Sequence, residues 1–129
     1  MRETDVLILG GLSGITAGIS CRRHYPDKKV MVVRKEGTIL IPCGIPYIYG
    51  TVGGPQYNVI PDGLLESNQI ELIKGEAILV DRENKVVTLK DDESIKYDKL
   101  VFATGSKPIV PPISGIEKKN VYAIWKDFD

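Results

Sequence analysis

The sequence predicts an α/β fold: a parallel sheet with a helix layer and an antiparallel β-meander. Two unbroken apolar runs of strand length, Asp-Val-Leu-Ile-Leu at 5–9 and Val-Met-Val-Val at 30–33, suit strands buried on both faces, as parallel strands are. A glycine-rich turn and a helical stretch join them, which makes a βαβ unit of about 30 residues. From residue 70 the pattern changes to short strands at 70–73, 76–80, 85–90 and 94–97, with polar turns at 81–84 and 91–93.

Each element has a local reason. Gly10-Gly11-Leu12-Ser13-Gly14 follows the first strand at once and opens a helix over 15–24. Arg22 and Arg23 in its last turn suit the negative end of the helix dipole, and Tyr25-Pro26-Asp27 stops it. Residues 37–57 are rich in glycine and proline and read as loop, with short helical stretches near 44–49 and 61–68. The strands from 70 to 97 form the antiparallel meander. Lys-Leu-Val-Phe-Ala-Thr at 99–104 returns to a buried strand that closes on Gly105. The expected layering places strands 5–9, 30–33 and 99–104 in one parallel sheet, the 15–24 helix on one face and the 76–97 meander on the other. Residues 108–129 read as a connector with a strand-like stretch at 120–125.

Composition excludes several classes. The 129 residues are 43% hydrophobic and 26% charged, which suits one globular domain. Seventeen Lys and Arg balance seventeen Asp and Glu, so the basic excess of a nucleic-acid binder is absent. Charges interrupt every apolar run short of the roughly 20 residues that span a bilayer, which predicts no membrane segment. Met1-Arg2-Glu3-Thr4-Asp5 lacks the pattern of a secretory signal. Cys21 and Cys43 make neither a disulfide framework nor a metal-ligand spacing, so no metal is expected and a reducing cytoplasm is the expected setting.

The glycine turn carries the first candidate chemistry. Where a strand runs into glycines that open a helix, backbone amides can approach a pyrophosphate, and the helix end adds partial positive charge. Gly10, Gly11, Ser13 and Gly14 are the candidate positions. The usual G-x-G-x-x-G spacing is short by one glycine, so a tight turn without a ligand stays open as an alternative. The acid that would bond the ribose at the end of the second strand is replaced by Arg34, with Lys35 next and Glu36 two residues late. Glu36 reaching a ribose, Arg34 pairing with a phosphate, and a solvated charge cluster are the three readings.

Two further segments are more specific. Ile-Pro-Cys-Gly-Ile-Pro-Tyr-Ile-Tyr-Gly at 41–50 and Asp-Lys-Leu-Val-Phe-Ala-Thr-Gly-Ser-Lys-Pro at 98–108 resemble the FAD-dependent pyridine nucleotide–disulfide oxidoreductases. The branch they resemble is the single-cysteine one, with CoA-disulfide reductases and NADH oxidases, and the resemblance runs in order from Asp5 to Gly115. It implies a Rossmann-like FAD/NAD(P)-binding domain over 1–115, with 116–129 a connector toward an NAD(P)H domain. Family members continue into that domain, a second flavin-contacting segment and a dimerisation domain. The chain is therefore expected to be an N-terminal portion, inactive alone, whose partner is a second copy or a companion subunit carrying the remaining domains.

The resemblance also assigns roles. A redox cysteine needs a stabilised thiolate, which the start of a helical turn favours, and Cys43 stands at such a place. A partner five residues on would give an internal disulfide, but that position is Ile48. The chemistry left is a mixed disulfide with a small thiol such as CoA, or a sulfenic acid; without the resemblance Cys43 would read as a small buried hydrophobe. Cys21, inside the helix, reads as packing, and His24 as a helix-end residue. By resemblance Arg23 matches a position near CoA phosphates, and Thr104 and Gly105 pass close to the flavin nucleotide, with a simple turn glycine the other reading of Gly105. Tyr47 and Tyr49 have two readings, lining the thiol pocket or packing as an aromatic wall. The implied function is an NAD(P)H-linked flavoprotein reductase acting through Cys43. A nucleotide-binding module without turnover and a remnant that binds no cofactor are the alternatives.

Overall fold

A computed structural model describes residues 1–124. Its elements are β1 (Arg2–Gly10), α1 (Leu12–His24), β2 (Val30–Arg34), β3 (Ile39–Leu40), α2 (Ile45–Ile48), β4 (Val59–Ile60), α3 (Gly63–Ser67), β5 (Glu71–Lys74), β6 (Ala77–Asp81), β7 (Val86–Leu89) and β8 (Ser94–Ala103). Six strands form one sheet in the order β5-β2-β1-β8-β7-β6, and β3 pairs with β4 in a separate two-stranded ribbon. β1 runs parallel to β2 (Val6 opposite Val30, Leu9 opposite Val33) and to β8 (Leu7 opposite Leu100, Gly10 opposite Ala103). β6, β7 and β8 are antiparallel.

Side chains alternate across β1 and β2, and each face has its own core. Ile8, Val30 and Val32 lie with Ile15 of α1, Ile39, Leu65 and Ile70. Leu7, Leu9, Met31 and Val33 lie with Val87, Leu89, Ile95 and Tyr97. The meander therefore covers the face opposite α1, as the strand pattern predicts, while hydrogen-bonding into the same sheet through β8. Each fully buried aliphatic side chain contributes about 1.5–3 kcal/mol of transfer free energy, so both faces hold the fold together. Polar ties fix the β1–β2 unit: Thr4 Oγ1 donates to the Lys29 carbonyl at 2.9 Å, and Asp5 Oδ2 accepts the Lys29 N–H at 2.8 Å. The guanidinium of Arg22 donates to the Lys28 carbonyl at 2.7 Å and to Gln69 Oε1 at 2.6 Å, clamping the end of α1.

Four sequence expectations are corrected. Residues 70–73 do not begin the antiparallel meander; β5 lies parallel to β2, with Met31 opposite Glu71 and Val33 opposite Ile73. The free edge of β2 needs a partner, and a parallel strand there buries Ile70 and Ile73 on opposite faces. The stretches 94–97 and 99–104 are a single strand, because β8 pairs with β1 from Ile95 to Ala103 while its first residues also pair with β7. Residues 120–124 form no strand, and Asn120 has a φ of 70°; Trp125 lies outside the described residues. The helix predicted over 15–24 begins earlier, at Leu12, since Gly11 caps it and Ile15 N–H donates to the Gly11 carbonyl at 3.0 Å. The helical stretches near 44–49 and 61–68 are α2 and α3. No helix among the described residues is long and apolar enough to cross a membrane.

Candidate functional site

Parallel strands leave a crevice at their carboxyl ends where the neighbouring connections diverge. Here a cleft of about 610 Å³ opens there, between the ends of β1, β2 and β8. The β1–α1 turn contributes Gly10, Gly11, Leu12 and Ser13; the end of β2 contributes Arg34, Lys35 and Glu36; the end of β8 contributes Thr104 and Gly105. Ile78 and Leu79 of β6 with Phe102 of β8 form an apolar wall, and all three are more than half exposed. The sequence shows no reason to bring β6 to this place, so that wall was not foreseeable.

The glycine turn is tight. β1 ends at Gly10 and α1 starts at Leu12, so Gly11 alone connects them. Gly10 has a φ of 135°, and a Cβ there would come within 1.9 Å of the Ala103 carbonyl oxygen. Gly14 does not line the cleft; a Cβ there would meet Ile8 Cγ2 at 3.0 Å, so it brings α1 close to the sheet. The N–H groups of Leu12, Ser13 and Gly14 precede the first intrahelical donor, the Ile15 N–H, and no side chain caps them. A 13-residue helix with an uncapped start beside a cleft is suited to an anion.

Arg34 is not part of a solvated charge cluster. Its side chain is fully buried; Nη2 donates to the Gly37 carbonyl at 3.1 Å and pairs with Asp62 at the start of α3. Nε and Nη1 are buried without a partner. The alternation of β2 places Arg34 on the α1 side, where a charge needs a counter-charge, and Asp62 supplies it. Asp62 also accepts from Lys74 Nζ at 2.9 Å. Burial pushes the Asp62 carboxyl up, but hydrogen bonds from Lys74 and Arg34 and the attraction of both cations outweigh it and hold the carboxyl below its ordinary range. Lys35 is exposed and lies 4.0 Å from Glu76. Glu36, half-buried, lines the cleft, as does Glu76.

Cys43 lies outside the cleft lining, but its neighbour Pro42 is part of it. A 3₁₀ turn at Pro42–Gly44 carries Cys43 and runs straight into α2. The thiol residue is exposed, whereas Cys21 is half-buried in α1. Tyr47 and Tyr49 are exposed beside the turn, and neither lines the cleft. Arg23 is exposed at the end of α1, away from the cleft lining. His24 Nδ1 lies 2.9 Å from the Ser20 carbonyl, in keeping with a helix-end role. Two residues were not singled out from sequence: Asn58, which holds the Cys43 turn, and Asp62, which neutralises Arg34. Pro61-Asp62-Gly63 is a recognisable turn signal, but nothing in it names a buried arginine 28 positions earlier.

Fold and cleft define a Rossmann-like α/β domain with an exposed cysteine turn beside the cleft. Residues 4–129 match the family model of pyridine nucleotide-disulphide oxidoreductases, and the chain belongs to that family. A CoA-dependent NAD(P)H sulfur oxidoreductase of Pyrococcus abyssi is 34% identical over 127 residues, which cover 95% of this chain and 28% of that protein. An NADH oxidase of Methanocaldococcus jannaschii is 27% identical over 92% of this chain and 29% of its own length. The solved structure of an NAD-dependent persulfide reductase from A. fulgidus superposes with a TM-score of 0.77 at 29% identity, over 89% of this chain and 24% of that one. The chain thus spans under a third of the length of these relatives.

Proposed function

We propose that this chain is the N-terminal, FAD-binding portion of an NAD(P)H-dependent oxidoreductase that exchanges thiol and disulfide through Cys43. The observation that carries the reading is one arrangement. An uncapped helix start, a side-chain-free turn and an exposed cysteine turn adjoin the same cleft, with Pro42 shared between them.

The residues present fit the adenosine diphosphate half of the flavin nucleotide. Gly10 and Gly11 leave backbone open to the pyrophosphate, Leu12 and Ser13 offer N–H groups, Glu36 offers the ribose an acceptor, and Thr104 and Gly105 close the opposite side. When bound, the flavin supplies hydride acceptance from NAD(P)H and electron transfer to sulfur. The chain's own residues bind and orient it, and Cys43 holds the exchanging sulfur in reach of solvent. Arg23 and Tyr47 extend the site toward a CoA-type thiol. NAD(P)H and the remaining domains of the family complete the catalyst, with a companion subunit as one source of them; one relative is the epsilon subunit of an NADH-dependent phenylglyoxylate dehydrogenase of Aromatoleum evansii.

A second reading, a nucleotide-binding piece without turnover, is favoured by the one-residue β1–α1 connection and by Arg34 in place of the ribose acid. Incubation with CoA disulfide followed by peptide mapping tests the first reading. The CoA adduct is expected on Cys43 ahead of Cys21; an adduct on Cys21 alone, or on neither, contradicts it.

A further inference from the structure

Asn58 is one of three buried polar or charged residues of the described chain, with 5% of its surface exposed. Its side chain sits at the base of the turn that carries Cys43. Nδ2 donates to the Ile41 carbonyl at 2.9 Å, and the Asn58 carbonyl accepts the Ile41 N–H at 3.0 Å. The Ile41 carbonyl also accepts the Gly44 N–H at 2.9 Å, which closes the turn. Oδ1 of Asn58 lies against Gly44 so closely that a Cβ there would come within 1.9 Å of it. Gly44 has a φ of −87°, open to any residue, so Asn58 and not the backbone conformation requires glycine at 44.

One buried amide therefore grips both ends of Pro42-Cys43-Gly44, a turn with no buried residue of its own. Such a turn would otherwise be free to open locally, since only buried contacts and shielded hydrogen bonds resist opening. We propose that Asn58 is a positioning residue for Cys43: it fixes the turn from beneath and so sets where the sulfur stands. The inference rests on Cys43 being the exchanging thiol. In that exchange the Cys43 thiolate attacks one sulfur of a CoA-type disulfide; the S–S bond breaks, a mixed disulfide forms, and the other half leaves as a thiolate that takes a proton from water.

The test reads the rate of CoA-adduct formation at Cys43 relative to Cys21 in the same chain, with far-UV circular dichroism to check folding. Asn58→Ala is expected to lower the Cys43:Cys21 ratio about tenfold, the factor that one lost buried hydrogen bond is worth, and to speed amide exchange at Ile41 and Gly44 while β1 stays protected. Gly44→Ala drives a methyl into Oδ1 and is expected to lower the ratio too. Removing the amide makes room for that methyl, so the Gly44→Ala/Asn58→Ala pair should be no worse than Asn58→Ala alone. Asn58→Asp keeps the shape but loses the donor while its carboxyl is ionised. Its ratio should fall at neutral pH and recover as acid restores an O–H facing Ile41, a profile that a merely structural role would not give. If Asn58→Ala does not fold, the Gly44→Ala and Asn58→Asp arms decide. An unchanged ratio in a folded variant, or full additivity in the pair, overturns the proposal. A wild-type chain in which Cys43 does not outpace Cys21 defeats the exchanging-thiol reading itself, and this proposal with it.

Discussion

At the residue scale, charge is handled by pairing one buried cation. Arg34 is sealed from solvent, and Asp62, about a third exposed, is its carboxylate partner. Removing one member of a buried pair costs about 3–5 kcal/mol; partial solvation of Asp62 lowers that for Asp62→Asn to roughly 1–3 kcal/mol, readable as a lower urea midpoint. The sign with pH follows from the direction of the shift. The folded carboxyl titrates below its unfolded value, so its contribution is present above about pH 4 and is lost as pH falls through the depressed folded value. Acid titration of the wild type and of Asp62→Asn should converge in stability in that range; a constant gap down to pH 2 would contradict the pairing. Gly10 is the second residue-scale constraint. Gly10→Ala combines a positive φ with a clash against the Ala103 carbonyl, and a loss of roughly 2–5 kcal/mol is expected in the same denaturation measurement. The sequence marks Gly10 as a turn glycine, but the carbonyl that forbids a side chain belongs to a strand 93 positions away, as the register shows.

At the element scale, strands buried on both faces and the helix between them were legible because apolar runs and glycine punctuation leave few other readings. β5 was not, because a four-residue run such as Glu-Leu-Ile-Lys carries no mark of parallel or antiparallel pairing. β8 was read as two strands with Asp98 between them, yet Asp98 is exposed and the pairing with β1 resumes at once, Val6 opposite Lys99. Of the candidate site, Gly10, Gly11, Ser13, Glu36, Thr104 and Gly105 come together in the cleft. Arg34 reaches it buried, and Gly14, Cys43, Tyr47 and Arg23 stand outside its lining. On the proposed function, the β1–α1 connection is the element expected to limit nucleotide binding. Its single residue holds the helix start close against the strand end, leaving less backbone to wrap a pyrophosphate. Inserting one glycine between Gly11 and Leu12 restores the usual spacing and is expected to tighten FAD binding by about tenfold or more, equal to one or two recovered hydrogen bonds. Unchanged or weaker binding in a folded insertion variant would show that the short turn is not the limit.

At the scale of the whole molecule, the cleft is a half-site. The β1–α1 turn and the β2 and β8 ends offer contacts to an adenosine diphosphate, while Ile78, Leu79 and Phe102 beside them stay more than half exposed. The relatives are more than three times longer than the stretch this chain matches. On the proposed function, the glycine turn and the ends of β2 and β8 hold the nucleotide end, and the expected affinity comes from there. No turnover with NAD(P)H is expected from this chain by itself. The direct measurement is a fluorescence titration of FAD with the purified chain, repeated with ADP and with FMN as competitors. The account predicts saturable binding of roughly 10 μM or weaker that ADP displaces and FMN does not. Stoichiometric, submicromolar binding, or displacement by FMN as readily as by ADP, would contradict it.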